Sequence, residues 1–443
     1  MIIAIFLFAT SCAPLRATNV PLEQVDPGHG YHQGVVMNRN GMGDIFLLLA
    51  FSGGGTRAAA LSYGVLQELR DTSVTVEGEK KRLLDEIDLI TSVSGGSFTS
   101  AYYGLHGDRT FEDYESRFLK RSVSRDILFR ALWPHNLVRL LFPFYDRTDL
   151  TVDYYDAKVF DGARFSDLLE ANGPMIQINS TDISIGAPFT FTQRHFDAIC
   201  SDLSQLKVSR AVTASSAVPV VFPTIVLRNL AGSCGFEEPP WIQEALSERA
   251  DSARRFNIAR ERHSYLDRSK KPYIHLVDGG IADNLGVRGP LDEALVSGGL
   301  ADRLRILGIA PPKHLAFIIV DASTNTSASY VFSASPPSLG DVLNSVTDTQ
   351  LHRYNFETVE LLERSMEEWA GELSAEGQSV DPHVIEVAEY EILDPETRAY
   401  FNAIPTSLGL SEEEVDRLIA IGRQLLRESE PFQEFVRSLQ EDS

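Results

Sequence analysis

Asp44-Ile45-Phe46-Leu47-Leu48-Leu49-Ala50-Phe51 is the stretch whose reading decides the fold. Its apolar residues run without alternation, which suits a strand buried on both faces in a parallel sheet. It ends at Ser52-Gly53-Gly54-Gly55-Thr56-Arg57. The spacing of Leu61, Val65, Leu66 and Leu69 then predicts a helix from Ala58 to Arg70. A second apolar run, Ile87 to Val93, ends at Ser94-Gly95-Gly96 and leads into another helix-like stretch. Strand-like runs recur at Met175–Ile178, Tyr273–Val277 and His314–Val320. This alternation predicts an α/β fold with a mainly parallel central sheet flanked by helices in three layers.

Outward from this core, residues 13–41 are rich in Pro, Gly, Asn and Asp and read as an extended arm. The main body spans 42–330. Residues 331–443 lose the strand character and read as a helical extension packed on the same body, with amphipathic helices at Arg353–Leu373 and Ser411–Glu430. Met1 to Ala9 is apolar and runs into Thr10-Ser11-Cys12, which resembles the end of a bacterial lipoprotein signal. The run is too short for a bilayer, which takes about 20 apolar residues. It departs from that signal in lacking Lys or Arg before the apolar stretch and in having Ala9 where Leu is favoured. The expectation is a lipid on Cys12 and a place in the cell envelope, anchored or secreted; an N-terminal core strand is the remaining reading. Cys200 and Cys234 are then left to pair with each other or to stand as two buried thiols.

The net charge of -22 argues against nucleic acid, whose phosphates need clustered Lys and Arg. It also gives little attraction to anionic lipid, so membrane contact must rest on apolar side chains or an anchor. No C-x-x-C or H-E-x-x-H pattern occurs, so neither metal nor cofactor is expected.

Three short segments carry the chemistry. Gly53, Gly54 and Gly55 open a helix, where free amides favour negative charge. They suit a phosphate cradle, an oxyanion hole or a plain tight turn. Thr91-Ser92-Val93-Ser94-Gly95-Gly96-Ser97 has the layout of a nucleophile elbow, with Ser94 between strand and helix and small neighbours around it. Ser92 stands where G-x-S-x-G has its first Gly; Ser97 is the rival nucleophile, one turn into the helix. A small-residue helix start is the plainer reading. Val277-Asp278-Gly279-Gly280 places a carboxylate at a strand end, where open α/β sheets put their sites. Ser94 needs a base, and Asp278 can supply one unless it only caps its own turn. Asp283 and Asn284 are weaker candidates.

In this order the three segments resemble the patatin-like phospholipase family. Ala214-Ser215-Ser216-Ala217-Val218-Pro219-Val220-Val221-Phe222-Pro223 and Asn179-Ser180-Thr181-Asp182 resemble it too, so the likeness covers roughly residues 42–325. It implies a patatin-like, α/β-hydrolase-related architecture and a lipid or phospholipid substrate. It implies a Ser94–Asp278 dyad, oxyanion amides from Gly53, Gly54 and Gly55, and supporting roles for Arg57, Gly96 and Gly279. Arg57 either binds lipid phosphate or braces the loop, with bracing favoured. A nucleotide-binding protein is the rival, but a Walker Gly-Lys-Ser/Thr and G-x-G-x-x-G are both missing. A catalytically silent envelope lipoprotein, or an acyl transferase, is the other alternative.

Arg125 to Tyr145 is the most aromatic and locally basic tract, with Phe129, Trp133, Phe142 and Phe144 among its apolar residues and Arg125, Arg130, Arg139 and Arg147 nearby. Most apolar stripes are core, so a buried helix plus loop is expected. An interfacial flap making peripheral membrane contact is the alternative.

Overall fold

Strand β1, Ile45–Phe51, is buried at every position and lies inside an eight-stranded sheet. The computed structural model describes residue 17 and residues 19–441, without 42, 77, 143, 144, 220–222, 248, 250, 251, 325–333, 376, 378 and 379. The other strands are β2 (Ile87–Val93), β3 (Met175–Asp182), β4 (Ala187–Thr190), β5 (Ile225–Arg228), β6 (Tyr273–Asp278), β7 (His314–Asp321) and β8 (Asp381–Ala388). Their order is β8-β7-β1-β2-β3-β6-β5, with β4 paired to β3. The run from β8 to β3 is parallel. Strand β6 is antiparallel to β3, and β5 is antiparallel to β6. Having β7 on one edge and β2 on the other, β1 is covered on all sides, hence its unbroken apolar sequence.

Helix α1 (Gly55–Asp71) follows β1, and α2 (Gly95–His106) follows β2. Next come α3 (Val123–Ala131), α4 (Pro134–Leu140), α5 (Arg147–Lys158) and α6 (Val208–Ser215). Beyond them lie α7 (Arg288–Ser297), α8 (Leu300–Leu307), α9 (Leu339–Ala375), α10 (Glu412–Glu428) and α11 (Glu430–Glu441). Helices α1 and α10 touch along their backbones. A side chain at Gly64 would meet the Ile419 carbonyl oxygen at 2.3 Å, and one at Gly422 would meet that of Leu61 at 2.6 Å. Glu68 clamps the crossing by accepting from Arg423 Nε (3.2 Å) and Arg427 Nε (2.7 Å).

Two expectations need correction. The stretch beyond 331 is not helical throughout, since it supplies β8. That strand has Pro382 and Glu386 among its apolar residues, a mixture that an edge strand tolerates and a periodicity reading misses. Residues 13–41 do not simply extend. They include a helix, Gln33–Asn40, and Tyr31 is buried with its hydroxyl accepting from the Ile176 amide at 2.9 Å. Cys200 and Cys234 form a disulfide. Both of its ends hold the N-terminal segment, through Leu22 N–H to Cys200 O and Val25 N–H to Cys234 O. Cys12 and Met1–Ser11 lie outside the described residues. Among the described residues no helix is long and apolar enough to cross a membrane.

Candidate active site

Ser94 stands at the junction of β2 and α2 with φ 49° and ψ -117°. A non-glycine residue with positive φ is strained, and such strain marks elbows that push a side chain out of the sheet. The neighbours permit it. A side chain at Gly95 would meet the Gly55 carbonyl oxygen at 2.0 Å, and one at Gly96 would meet that of Phe51 at 2.6 Å. Gly96 also donates its amide to Ser52 O at 3.2 Å.

Asp278 closes β6. Its Oδ2 accepts from Ser94 Oγ at 2.9 Å, and its Oδ1 accepts from the Gly280 amide at 2.9 Å. The carboxylate is therefore fixed at both oxygens. Burial raises its pKa to about 6, against the lowering effect of the Gly280 and Ser94 hydrogen bonds. Gly279 has to be small: a side chain there would strike Asn179 O at 2.4 Å.

Ser97 lies behind the elbow and is fully buried. Ser215, at the end of α6, donates its hydroxyl to Asn179 O at 2.5 Å. It must then accept from its other partners, the Ser94 amide at 2.8 Å and Ser97 Oγ at 3.0 Å. The Ser97 proton is thus committed to Ser215, whereas Ser94 faces a carboxylate. The segment containing Ser215 also receives the Asp278 amide at Ala217 O, 2.9 Å; its Val220, Val221 and Phe222 lie outside the described residues. Asn179 reaches back from β3 to hold β2, through Nδ2 to Thr91 Oγ1 (2.8 Å) and Ser92 O (3.1 Å).

The glycine loop borders this pair, since a side chain on Gly53 would come 3.4 Å from Ser94 Cβ. One expectation fails here. The Gly53 amide donates to Asn284 O at 3.0 Å, and an amide already engaged cannot also serve an oxyanion. Its role is to brace the loop, and Asn284 is its partner, not a base. The amides of Gly54, Gly55 and Gly95 have no acceptor among the described residues. Gly54 adopts φ 143°, a conformation that L side chains rarely take.

Arg57 turns away from the site. It donates through Nε to Ala322 O (2.9 Å), through Nη1 to Ile404 O (2.6 Å) and through Nη2 to Thr406 Oγ1 (3.0 Å). The next link is Thr56 N–H to Ser407 O at 2.8 Å. The loop is thereby tied to residues 404–407, a tie with no local sequence signal. Asp283 accepts from the Arg288 amide at 2.7 Å, and burial raises its carboxyl to about 6. A phosphate cradle fits poorly, because the loop's cation is spent on bracing and a carboxylate faces Ser94.

The tract expected to be buried is exposed. Leu128, Phe129, Leu132, Trp133, Leu137, Val138, Leu141 and Phe142 project from α3, α4 and the turn after α4, with Trp133 at 62% exposure and Leu141 at 83%. Phe144 lies outside the described residues. The tract is anchored at both ends beside the site. Ser124 N–H donates to Leu408 O (3.2 Å), next to the loop-binding Ser407. Thr148 Oγ1 donates to Pro223 O (2.9 Å), and α5 packs on α6, which ends in Ser215.

The family model for patatin-like phospholipases matches residues 49–291, more than half of the chain, and spans Gly53, Ser94 and Asp278. This chain belongs to the patatin-like phospholipase family. Membership supports a lipid acyl-hydrolase activity. Among solved structures it is similar to human GIVD cytosolic phospholipase A2, with 11% identity and a TM-score of 0.42 over 92% of this chain. The match spans 62% of that protein's length. No match was found among curated sequences.

Proposed function

We propose that this patatin-like chain cleaves carboxylic esters of lipids through a Ser94–Asp278 dyad and an acyl-enzyme. The observation that carries this reading is the 2.9 Å hydrogen bond from Ser94 Oγ to Asp278 Oδ2 at a strained elbow. Asp278 takes the Ser94 proton as Oγ attacks the ester carbonyl. The negative oxygen of the tetrahedral intermediate is stabilised by the amides of Gly54 and Gly55 and by that of Gly95, the residue after the nucleophile. The leaving alcohol takes the proton from Asp278, and the acyl group stays on Ser94. Asp278 then deprotonates a water that attacks this acyl ester, and Ser94 regains the proton as the carboxylic acid departs.

Substrate is drawn from a lipid surface. The exposed face of α3 and α4 supports this, because it adjoins the site and is flanked by exposed Arg125, Arg139 and Arg147 in a chain of net charge -22. Such a face buries its apolar side chains in the head-group boundary while arginines meet phosphates. The disulfide favours an oxidising compartment, which agrees with envelope localisation and a lipid on Cys12. The test is turnover of a soluble ester together with labelling by a fluorophosphonate. Ser94→Ala should abolish both, and Asp278→Asn should lower turnover at least about a thousandfold with the fold kept. Turnover retained by folded Ser94→Ala protein would overturn the reading.

A further inference from the structure

Asn284 follows the Asp278 turn and is as buried as Ser94, each being 7% exposed. Its backbone carbonyl braces Gly53, and its side-chain amide is oriented by Ser323. The Ser323 hydroxyl has one proton, which goes to Asp321 Oδ1 at 2.6 Å. A short bond to a carboxylate is the strong kind, so Ser323 Oγ can only accept from its other partners. These are Asn355 Nδ2 of α9 at 3.0 Å and Asn284 Nδ2 at 3.3 Å. Asn355 cannot be turned the other way round, because its Nδ2 also donates to Asp321 Oδ2 at 3.2 Å. The nitrogen of the Asn284 amide thus faces Ser323, and Oδ1 faces away from it.

On that side lies the dyad. The first carbon of a side chain on Gly280 would come 2.9 Å from Asn284 Oδ1 and 3.2 Å from Asp278 Oδ1. One on Gly53 would come 2.5 Å from Asn284 Oδ1 and 3.4 Å from Ser94 Cβ. Oδ1 therefore lies between the two glycines, close to both side chains of the proposed dyad. No donor among the described residues reaches it, and a largely buried amide oxygen without a donor is costly. It suits a reacting molecule that carries a spare hydrogen, and here the two half-reactions differ. The leaving oxygen of an ester carries no hydrogen, whereas the water that replaces it carries two. Asp278 takes only one of them.

We propose that Asn284 is a third catalytic residue, whose Oδ1 accepts the second hydrogen of the water that hydrolyses the acyl-enzyme. This role rests on the Ser94 acyl-enzyme proposed above. The water oxygen bonds to the acyl carbon as one proton passes to Asp278; the other stays on that oxygen, held by Oδ1. Collapse then breaks the bond to Ser94 Oγ, Asp278 returns its proton to Oγ, and the acid departs with the second hydrogen. Attack by Ser94 on the ester needs no such contact. An alcohol acceptor has a carbon where water has its second hydrogen, so Asn284 favours water and makes the site hydrolytic rather than acyl-transferring.

Partition of the acyl group is the readout, because it does not depend on which step limits turnover. Full-length protein is given p-nitrophenyl butyrate in water containing methanol, and methyl butyrate and butyrate are measured. Asn284→Leu keeps the backbone carbonyl for Gly53 and the size of the side chain but removes the acceptor. It should raise the ratio of methyl ester to acid about tenfold, while the rate of Ser94 labelling by a fluorophosphonate stays within about twofold. A merely structural role would slow both steps and leave the ratio alone. Should Asn284→Leu not fold, Asn284→Ala decides, with the same rise expected. An unchanged ratio in the deciding variant, or labelling that slows as much as hydrolysis, would overturn the role of Asn284. Ser94→Ala, run alongside, separates this from the dyad: product formed by that variant overturns the acyl-enzyme as well, whereas an unchanged ratio with Ser94→Ala inactive overturns the role of Asn284 alone.

Discussion

In the proposed mechanism Asp278 acts as a base only when ionised, and burial raises its carboxyl to about 6. Turnover of a soluble ester should therefore fall about tenfold per pH unit below about 6, and level off above it. The same burial has a sign for stability. The folded-state pKa lies above the ordinary 3.8, so the stabilising contribution is present below about pH 4 and is lost as pH rises through about 6. At pH 8 the charged carboxylate costs about 1–3 kcal/mol. Asp278→Asn is expected to raise the melting temperature at pH 8 while removing activity, and to lose that advantage at pH 4; thermal melts at both pH values check it. This pair was legible because an elbow needs small residues on both sides of one serine, a purely local demand. Gly53 was misread for the complementary reason. A glycine triplet announces a tight loop, but which of its amides are spent depends on Asn284, more than two hundred residues away.

At the scale of elements, α3 and α4 show what periodicity cannot give. An apolar stripe establishes that a helix has a face to bury, not whether protein or lipid buries it. Ser124 and Thr148 anchor the tract at its ends while its apolar side chains stay exposed. Replacing exposed Trp133 and Leu141 together by serine should cost little stability. Their loss should lower hydrolysis of phospholipid vesicles at least about fivefold and leave a soluble short-chain ester nearly unchanged. Equal loss on both substrates would return the tract to a structural role. Strand β8 escaped notice for a related reason. Its mixture of Asp381, Pro382 and Glu386 with apolar residues suits a sheet edge, but only partner β7 makes it a strand.

Across the whole molecule, long-range ties fix the N-terminal segment and the loop around the site. The disulfide closes a separation of 34 residues, for which loop-closure entropy gives roughly 3–4 kcal/mol. Replacing Cys200 and Cys234 by alanine should lower stability by an amount of that order in a denaturant titration. The parallel core was readable from the unbroken run at 45–51 and the mostly apolar runs at 87–93, which includes Asp88, Thr91 and Ser92, and 314–320, since burial on both faces leaves a compositional mark. The long-range pairing of Arg57 with Ile404 and Thr406, and of Thr56 with Ser407, leaves none. Those contacts also impose a timetable. A ribosome makes the glycine loop and Ser94 well before residues 404–407, so the loop's clamps do not exist until that later stretch has been made. A chain ending before residue 400 should carry Ser94 and Asp278 yet fail to react with a fluorophosphonate, and adding back the missing stretch as part of one full chain should restore labelling. The proposed hydrolase would thus stay inert until residues 404–407 have been made.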